Sequence, residues 1–350
     1  MKETEWGFTK ADEEALFLLE ESYDITPRGL ETILSGRINL TFLVECQDGS
    51  KLIFQRINPI FQASPALGDN WVKVSSALEK NGLQAPRLIA NKRGENLTFR
   101  GGTVWRLTTY MEGTAPEPGI GAAYLAGKAL GSAHRALNIP LPIQLIPLPK
   151  GVEYTNQRLP VQADFTLFSN LYRLHPQLPL LEETLKRAAL CALRLPGSPA
   201  YQRVFLIRDL VIHGDPKRDN YLSKGDHFVL IDWDTVCYGD PLIDLAEALR
   251  SFASRKERPF FDADLAESLL RGYREKGLQM DRAHFRLLAS VVRGVSLNLA
   301  RRYLTDALVD SFFAWEKTYA SHFDQCLARA HSLLDLVEEL YERDFELWDL

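Results

Sequence analysis

Two short apolar runs, each ending in a cluster of polar residues, constrain this chain more than any other feature. Val211-Ile212 leads into His213-Gly214-Asp215-Pro216-Lys217-Arg218-Asp219-Asn220, and Phe228-Val229-Leu230-Ile231 leads into Asp232-Trp233-Asp234. Apolar runs of this length bounded by turn residues read as buried strands. Carboxylates at the ends of such strands are held rigidly near a surface, and an asparagine on the intervening loop can join one of them around a hard cation, for which magnesium is expected.

Phosphoryl transfer needs metal ions on the phosphates, a carboxylate that orients the acceptor hydroxyl, and positive charge near the transferring group. The loop holds each ingredient. Asp215 is expected to accept a hydrogen bond from the acceptor hydroxyl, Asn220 and Asp232 to ligate magnesium, and Lys217 to sit against the γ-phosphate. Asp234 is expected either to support the metal ligands or to touch the substrate. His213 reads as a brace that bonds backbone rather than as a proton donor. Two residues apart on one strand face, Asp232 and Asp234 would repel each other without a cation between them.

The rest of the chain reads as a sheet followed by helices. The opening segment, Met1 to Tyr23, is acidic and periodic, as in an amphipathic helix and unlike a secretory signal. Strands are expected over Ile38–Glu45 and Leu52–Ile57, joined by Gln47-Asp48-Gly49-Ser50, whose Asp-Gly step signals a hairpin. A helix over Leu67–Lys80 and strands over Pro86–Asn91, Asn96–Arg100 and Thr103–Tyr110 complete a five-stranded sheet with one helix. The Gly/Pro-rich stretch Glu112 to Gly119 marks a hinge, dividing the chain into 1–112 and 113–350. Beyond it the periodicity predicts helices over Ala122–Leu137, Glu182–Leu195, Leu242–Ser254, Ala263–Lys276, Arg282–Leu304 and a final one from Asp306 to Tyr341.

Composition narrows the function classes. A net charge of -5 gives no reason to expect nucleic acid or acidic membranes as partners. The four cysteines are far apart and form no C-x-x-C pair, which suggests neither a disulfide framework nor structural zinc and points to a cytoplasmic location. No apolar stretch is long enough to cross a bilayer as a helix. The sequence does not give the oligomeric state.

At His213-Gly214-Asp215, Asn220 and Ile231-Asp232-Trp233-Asp234 the chain resembles the aminoglycoside phosphotransferase and choline kinase superfamily, relatives of the protein kinases, whose pattern is H-G-D-x-x-x-x-N followed by I-D-x-D. The resemblance implies an α+β, two-lobed, protein-kinase-like fold, with 1–112 as the nucleotide-binding lobe and 113–350 as the catalytic and substrate-binding lobe. It also implies ATP and Mg2+ as cofactors. The turn over the phosphates would be Leu34 to Asn39, giving Ser35, Gly36 and Asn39 as nucleotide contacts, and the backbone of Tyr110, Met111 and Glu112 would read adenine. Where relatives usually carry a strand lysine this chain has Gln55, which can donate to phosphate without supplying charge. Arg56 leaves the opposite sheet face and cannot replace it.

Gly36 to Val44 and Phe54 to Phe61 further resemble the N-acetylhexosamine 1-kinases, which also carry glutamine at that strand position. Trp105-Arg106-Leu107, Lys217 and Arg302 to Asp306 extend the similarity along the chain. The resemblance implies transfer of the ATP γ-phosphate to a hydroxyl of a small sugar, the anomeric hydroxyl of an N-acetylhexosamine being the specific case, with Arg37 and Arg302 toward the sugar. Arg37 stands where the characterised sugar kinase usually has histidine, which leaves specificity open. An amino alcohol, homoserine or an aminoglycoside remains an alternative acceptor, and a nucleotide-binding pseudokinase is a second alternative.

Overall fold

The computed structural model describes residues 8–33, 39–59, 64–147, 168, 170, 172–254, 261–310 and 313–342. The chain separates into two compact units: Met1–Ser76 with Gln84–Glu112 and Ile146–Val152, and Ala77–Leu83 with Gly113–Leu145 and Glu153–Leu350.

In the first unit, helix α1 (Phe8–Tyr23) is followed by strands β1 (Gly29–Ile33), β2 (Leu40–Glu45) and β3 (Lys51–Arg56), helix α2 (Pro65–Lys80), whose last turn from Ala77 counts with the second unit, and strands β4 (Leu88–Ile89), β5 (Thr98–Arg100) and β6 (Thr103–Thr109). They form one antiparallel sheet ordered β1-β2-β3-β6-β4, with β5 also on β6. The sheet therefore has six strands where the sequence suggests five. The addition is β1, an edge strand of half-buried and exposed residues that lacks a clean alternation. The β2–β3 hairpin turns where Asp48-Gly49 predicts it. Gly49 has a φ of 81°, and Asp48 Oδ1 accepts the Ser50 amide at 2.9 Å.

Alternation along the strands gives the sheet two distinct faces. On one, Phe42, Val44, Phe54, Trp105 and Leu107 pack under Ala11, Ala15, Leu18 and Leu19 of α1. Phe54 and Trp105 stack at 4.8 Å, and burying each such aromatic contributes about 1.5–3 kcal/mol. The other face carries Thr41, Gln55 and Arg106, which are direct cross-strand neighbours. Trp71 of α2 lies on this second face, its ring 4.3 Å from the Arg106 guanidinium.

The second unit is mainly helical among the described residues. It contains α3 (Ile120–Asn138), α4 (Glu182–Leu193), α5 (Pro199–Leu206), α6 (Pro241–Phe252), α7 (Ala263–Lys276), α8 (Arg282–Phe285), α9 (Leu288–Val309) and α10 (His322–Glu342). Two small antiparallel pairs lie among them. β7 (Leu210–Ile212) pairs with β10 (Cys237–Gly239), and β8 (Tyr221–Lys224) pairs with β9 (His227–Leu230). Helices α3 and α7 touch backbone to backbone: a Cβ on Gly127 would lie 1.9 Å from the Leu269 carbonyl oxygen, and one on Gly272 would lie 2.0 Å from that of Tyr124. Asp240 caps α6 by accepting the Leu242 amide at 2.9 Å, and Pro241 follows at a helix start where it loses no hydrogen bond.

Two long helices expected from the sequence are interrupted. The first is divided between α8 and α9. The expected final helix is split by Asp310, which adopts the left-handed conformation and ends α9, so that α10 starts only at His322. Asp306 belongs to the last turn of α9.

Candidate active site

β7 delivers the chain into a tight turn at Gly214, whose φ is 87°. A Cβ there would lie 2.3 Å from the Thr235 carbonyl oxygen, so the turn requires glycine both for its dihedral and for its clearance. Asp244 of α6 holds the turn from behind. Its Oδ2 accepts the His213 amide at 2.7 Å and its Oδ1 accepts the Gly214 amide at 2.9 Å. His134 of α3 donates from Nε2 to Asp244 Oδ2 at 2.8 Å and accepts at Nδ1 from the Tyr273 hydroxyl at 2.9 Å. Burial pushes the Tyr273 phenol up, which keeps it a donor.

His213 ties this turn to the second acidic loop. Its Nδ1 accepts the Asp215 amide at 3.3 Å, so Nε2 carries the proton and donates to the Ile231 carbonyl at 3.0 Å. Burial pushes its pKa down, against the pull of Asp244, so the ring is neutral. Trp233 lies against it at 4.4 Å.

Lys217 Nζ donates to Asp215 Oδ2 at 2.5 Å. Asn220 Nδ2 donates to the Asp215 carbonyl at 2.8 Å and lies 3.4 Å from Oδ2. Burial disfavours the Lys217 ammonium, but Asp215, Asp232 and Glu247 outweigh it and raise the pKa, so the residue is cationic. Arg302 of α9 feels the same field. Burial lowers its pKa while Asp215 and Glu247 oppose the shift, and the nearby Arg250 adds to it. Arg250 is itself held by Glu247, with Nε 3.1 Å from Oε2 and a second contact between the other guanidinium nitrogen and Oε1.

The structure corrects the reading of Asp232 and Asp234 as neighbours on one strand face. β9 ends at Leu230. Asp232 has the left-handed angles φ 63° and ψ 66° and opens a short turn, Trp233–Thr235, in which Asp234 is 1% exposed. That burial leaves the Asp234 side chain almost no surface of its own. Asp215, Lys217, Asn220, Asp232 and Arg302 thus share one electrostatic cluster in the second unit. Asn220 Oδ1 and the Asp232 carboxylate are hard oxygen donors of the kind that suits a small divalent cation.

The expected nucleotide contacts belong to the first unit. Ser35, Gly36 and Arg37 lie outside the described residues. Asn39 braces the sheet, its Oδ1 accepting the Asn58 amide at 2.9 Å. Gln55 is held at both ends of its amide: Nε2 donates to Thr41 Oγ1 at 2.9 Å, and Oε1 accepts from Arg106 Nε at 2.8 Å. Arg56 leaves the opposite face, 3.5 Å from Glu14. Tyr110 and Met111 follow β6 half-buried, and Glu112 is exposed. Sequence reasoning passed over Arg106, Asp244 and His134 as site residues. A single acid within the apolar run Leu242-Ile243-Asp244-Leu245-Ala246 was the available signal for Asp244.

A protein-family profile described as the phosphotransferase enzyme family matches residues 29–278 of this chain. The chain belongs to that family. It is a phosphotransferase. Solved structures with the same fold include the amicoumacin kinase hAmiN in complex with AMP-PNP, Ca2+ and Ami, with a TM-score of 0.65, 12% identity, and coverage of 95% of this chain and 96% of that one. An aminoglycoside phosphotransferase from Alicyclobacillus acidocaldarius has a TM-score of 0.59 and 14% identity, covering 92% and 93%. A microcompartment-associated aminopropanol kinase also has 0.59 and 14%, covering 97% and 98%. At these identities the likeness shows the kinase-like fold, and family membership rests on the profile. Among the described residues no helix is long and apolar enough to cross a membrane.

Proposed function

We propose that this member of the family transfers the γ-phosphate of ATP to a hydroxyl of a small sugar, with the anomeric hydroxyl of an N-acetylhexosamine as the specific acceptor. The observation that carries this reading is the charge around Asp215. Lys217 is cationic at 2.5 Å from its carboxylate, and Arg302 and Arg250 both interact with it through space. A cationic acceptor would lose its hydration and meet these like charges, whereas a neutral hydroxyl-rich acceptor would find donors for its oxygens.

In this reading residues 1–112 hold the nucleotide and 113–350 carry the chemistry and the acceptor. Asp215 accepts a hydrogen bond from the acceptor hydroxyl and takes its proton as the phosphoryl group transfers. Lys217 faces the transferring group and offsets its charge. Arg302 orients the sugar, with Arg37 at the turn. Asn220 and Asp232 would hold Mg2+, backed by Asp234. The bound ion supplies charge neutralisation on the phosphates. Gln55 and the backbone at Tyr110, Met111 and Glu112 contact the nucleotide, with Ser35, Gly36 and Asn39 at the turn.

ADP release with magnesium and ATP, measured against N-acetylhexosamines, neutral sugars, homoserine, amino alcohols and aminoglycosides, tests the acceptor. Stimulation by N-acetylhexosamines, with Arg302→Gln raising the KM for the sugar more than that for ATP, is the expected result. Stimulation by a cationic acceptor alone would overturn the sugar assignment while leaving the kinase reading intact.

A further inference from the structure

One turn beyond Arg302 along α9, Asp306 meets two residues from the first turns of α10. His322 Nε2 is 3.1 Å from Asp306 Oδ2 and 3.6 Å from Cys326 Sγ. All three ligand atoms lie within 4.8 Å of one another. His322 and Cys326 are four residues apart on one helix, so both point to the same side. The Phe313 carbonyl adds a further oxygen, 2.9 Å from the same histidine nitrogen. Asp306 is 2% exposed and Cys326 is fully buried.

Metal-to-ligand lengths of about 2.0–2.1 Å to nitrogen and oxygen and about 2.3 Å to sulfur place the atoms of a tetrahedral zinc site roughly 3.3–3.6 Å apart. The 3.6 Å from Nε2 to sulfur falls in that range, and the 3.1 Å from Nε2 to the Asp306 oxygen would widen by about 0.2 Å on binding. The other face of the imidazole is also prepared. His322 Nδ1 is 3.3 Å from Asp310 Oδ1, the carboxylate-to-histidine contact that fixes the tautomer of a metal-bound ring and turns Nε2 toward the ion. Nε2 then faces a carboxylate oxygen, a carbonyl oxygen and a sulfur, a convergence of acceptors that either its own N–H or a bound metal ion can serve.

We propose that Asp306, His322 and Cys326 form a structural zinc site that clips the end of α9 to the start of α10. A mixed sulfur, nitrogen and oxygen donor set suits zinc better than magnesium or calcium, which take oxygen ligands. Binding releases the Cys326 thiol proton to solvent, together with the Nε2 proton wherever that nitrogen carries one, so affinity falls as pH is lowered. The clip would also fix Phe313, whose ring stacks on Tyr303 at 4.1 Å and lies 5.5 Å from the Arg302 guanidinium.

The test uses the full chain, stripped with chelator and titrated with Zn2+ or Co2+ alone. The proposal expects one metal per chain, a thiolate-to-cobalt charge-transfer band, and a rise in Tm with zinc. Cys326→Ser, close in size to the native residue, should lose the band and the Tm response. Asp310→Asn should keep the band and bind about 10–100-fold more weakly. Absence of the band in a chain that folds normally, or an equal response of wild type and Cys326→Ser to zinc, would overturn the site. It would leave the His322 ring as a hydrogen-bonding link between Asp306 and Asp310.

Discussion

Asp244 Oδ2 accepts the backbone amide of His213 at 2.7 Å, and through this contact a helix in the middle of the second unit sets the position of the loop that carries Asp215. The same carboxylate takes the Gly214 amide and the His134 ring, so its removal strands several buried donors. Asp244→Ala is expected to cost at least about 3 kcal/mol in denaturant unfolding, because bonds to a charged acceptor are worth roughly 1.5–3 kcal/mol each. In protein that still folds, kcat should fall by about 100-fold through displacement of Asp215, with a smaller change in nucleotide affinity. Unchanged stability in Asp244→Ala would show that the network does not bear on the fold.

The pH dependence of stability contains a separable contribution from His284. Its hydrogen bond to Asp240 Oδ1, at 3.0 Å, raises its pKa above the ordinary 6.5, with burial opposing. A raised folded-state value means that the folded protein holds the proton more tightly. The stabilisation is complete below 6.5 and fades as pH rises through the folded-state value. His284→Gln should therefore be less stable than wild type at mildly acidic pH and equal to it at alkaline pH, as read by Tm across the range. A gap that instead widens with rising pH would contradict the assignment.

Gln55 stands where relatives usually carry lysine, and restoring lysine is expected to harm this protein. The Gln55 carbonyl accepts from Arg106, which is 1% exposed and lies on Trp71. Gln55→Lys would replace that acceptor with an ammonium and leave two like charges in contact. A loss of about 1–3 kcal/mol is expected from thermal or chemical unfolding, with no gain in kcat. A variant that is both stable and faster would show that Arg106 can turn away from the sheet.

The parts of this fold that were legible in the sequence are those where local chemistry and tertiary structure agree. Ala263–Lys276 runs from an Asp262 cap to Gly277, and its helical periodicity is complete between them. The Asp48-Gly49 turn and the carboxylate loops are similarly local. The interrupted helices were not legible, because a left-handed residue at Asp310 breaks a pattern that remains apolar on both sides. Arg106 was missed because an arginine in a strand normally points to solvent. Here its burial depends on Gln55 and Trp71, which are remote in sequence. The apolar run before Asp232 and Asp234 suggests a strand, and nothing in that run announces the turn that holds them.

In the proposed reaction Asp215 takes the proton of the acceptor hydroxyl. Single-turnover and steady-state phosphoryl transfer by Asp215→Asn, with nucleotide binding measured in parallel, tests it most directly. Asparagine keeps the size of the side chain but cannot accept the proton. The account predicts a fall in kcat of about 100-fold or more, within the 10²–10⁴ typical of general base catalysis, with nucleotide Kd within about threefold of wild type. Full activity in Asp215→Asn would contradict it.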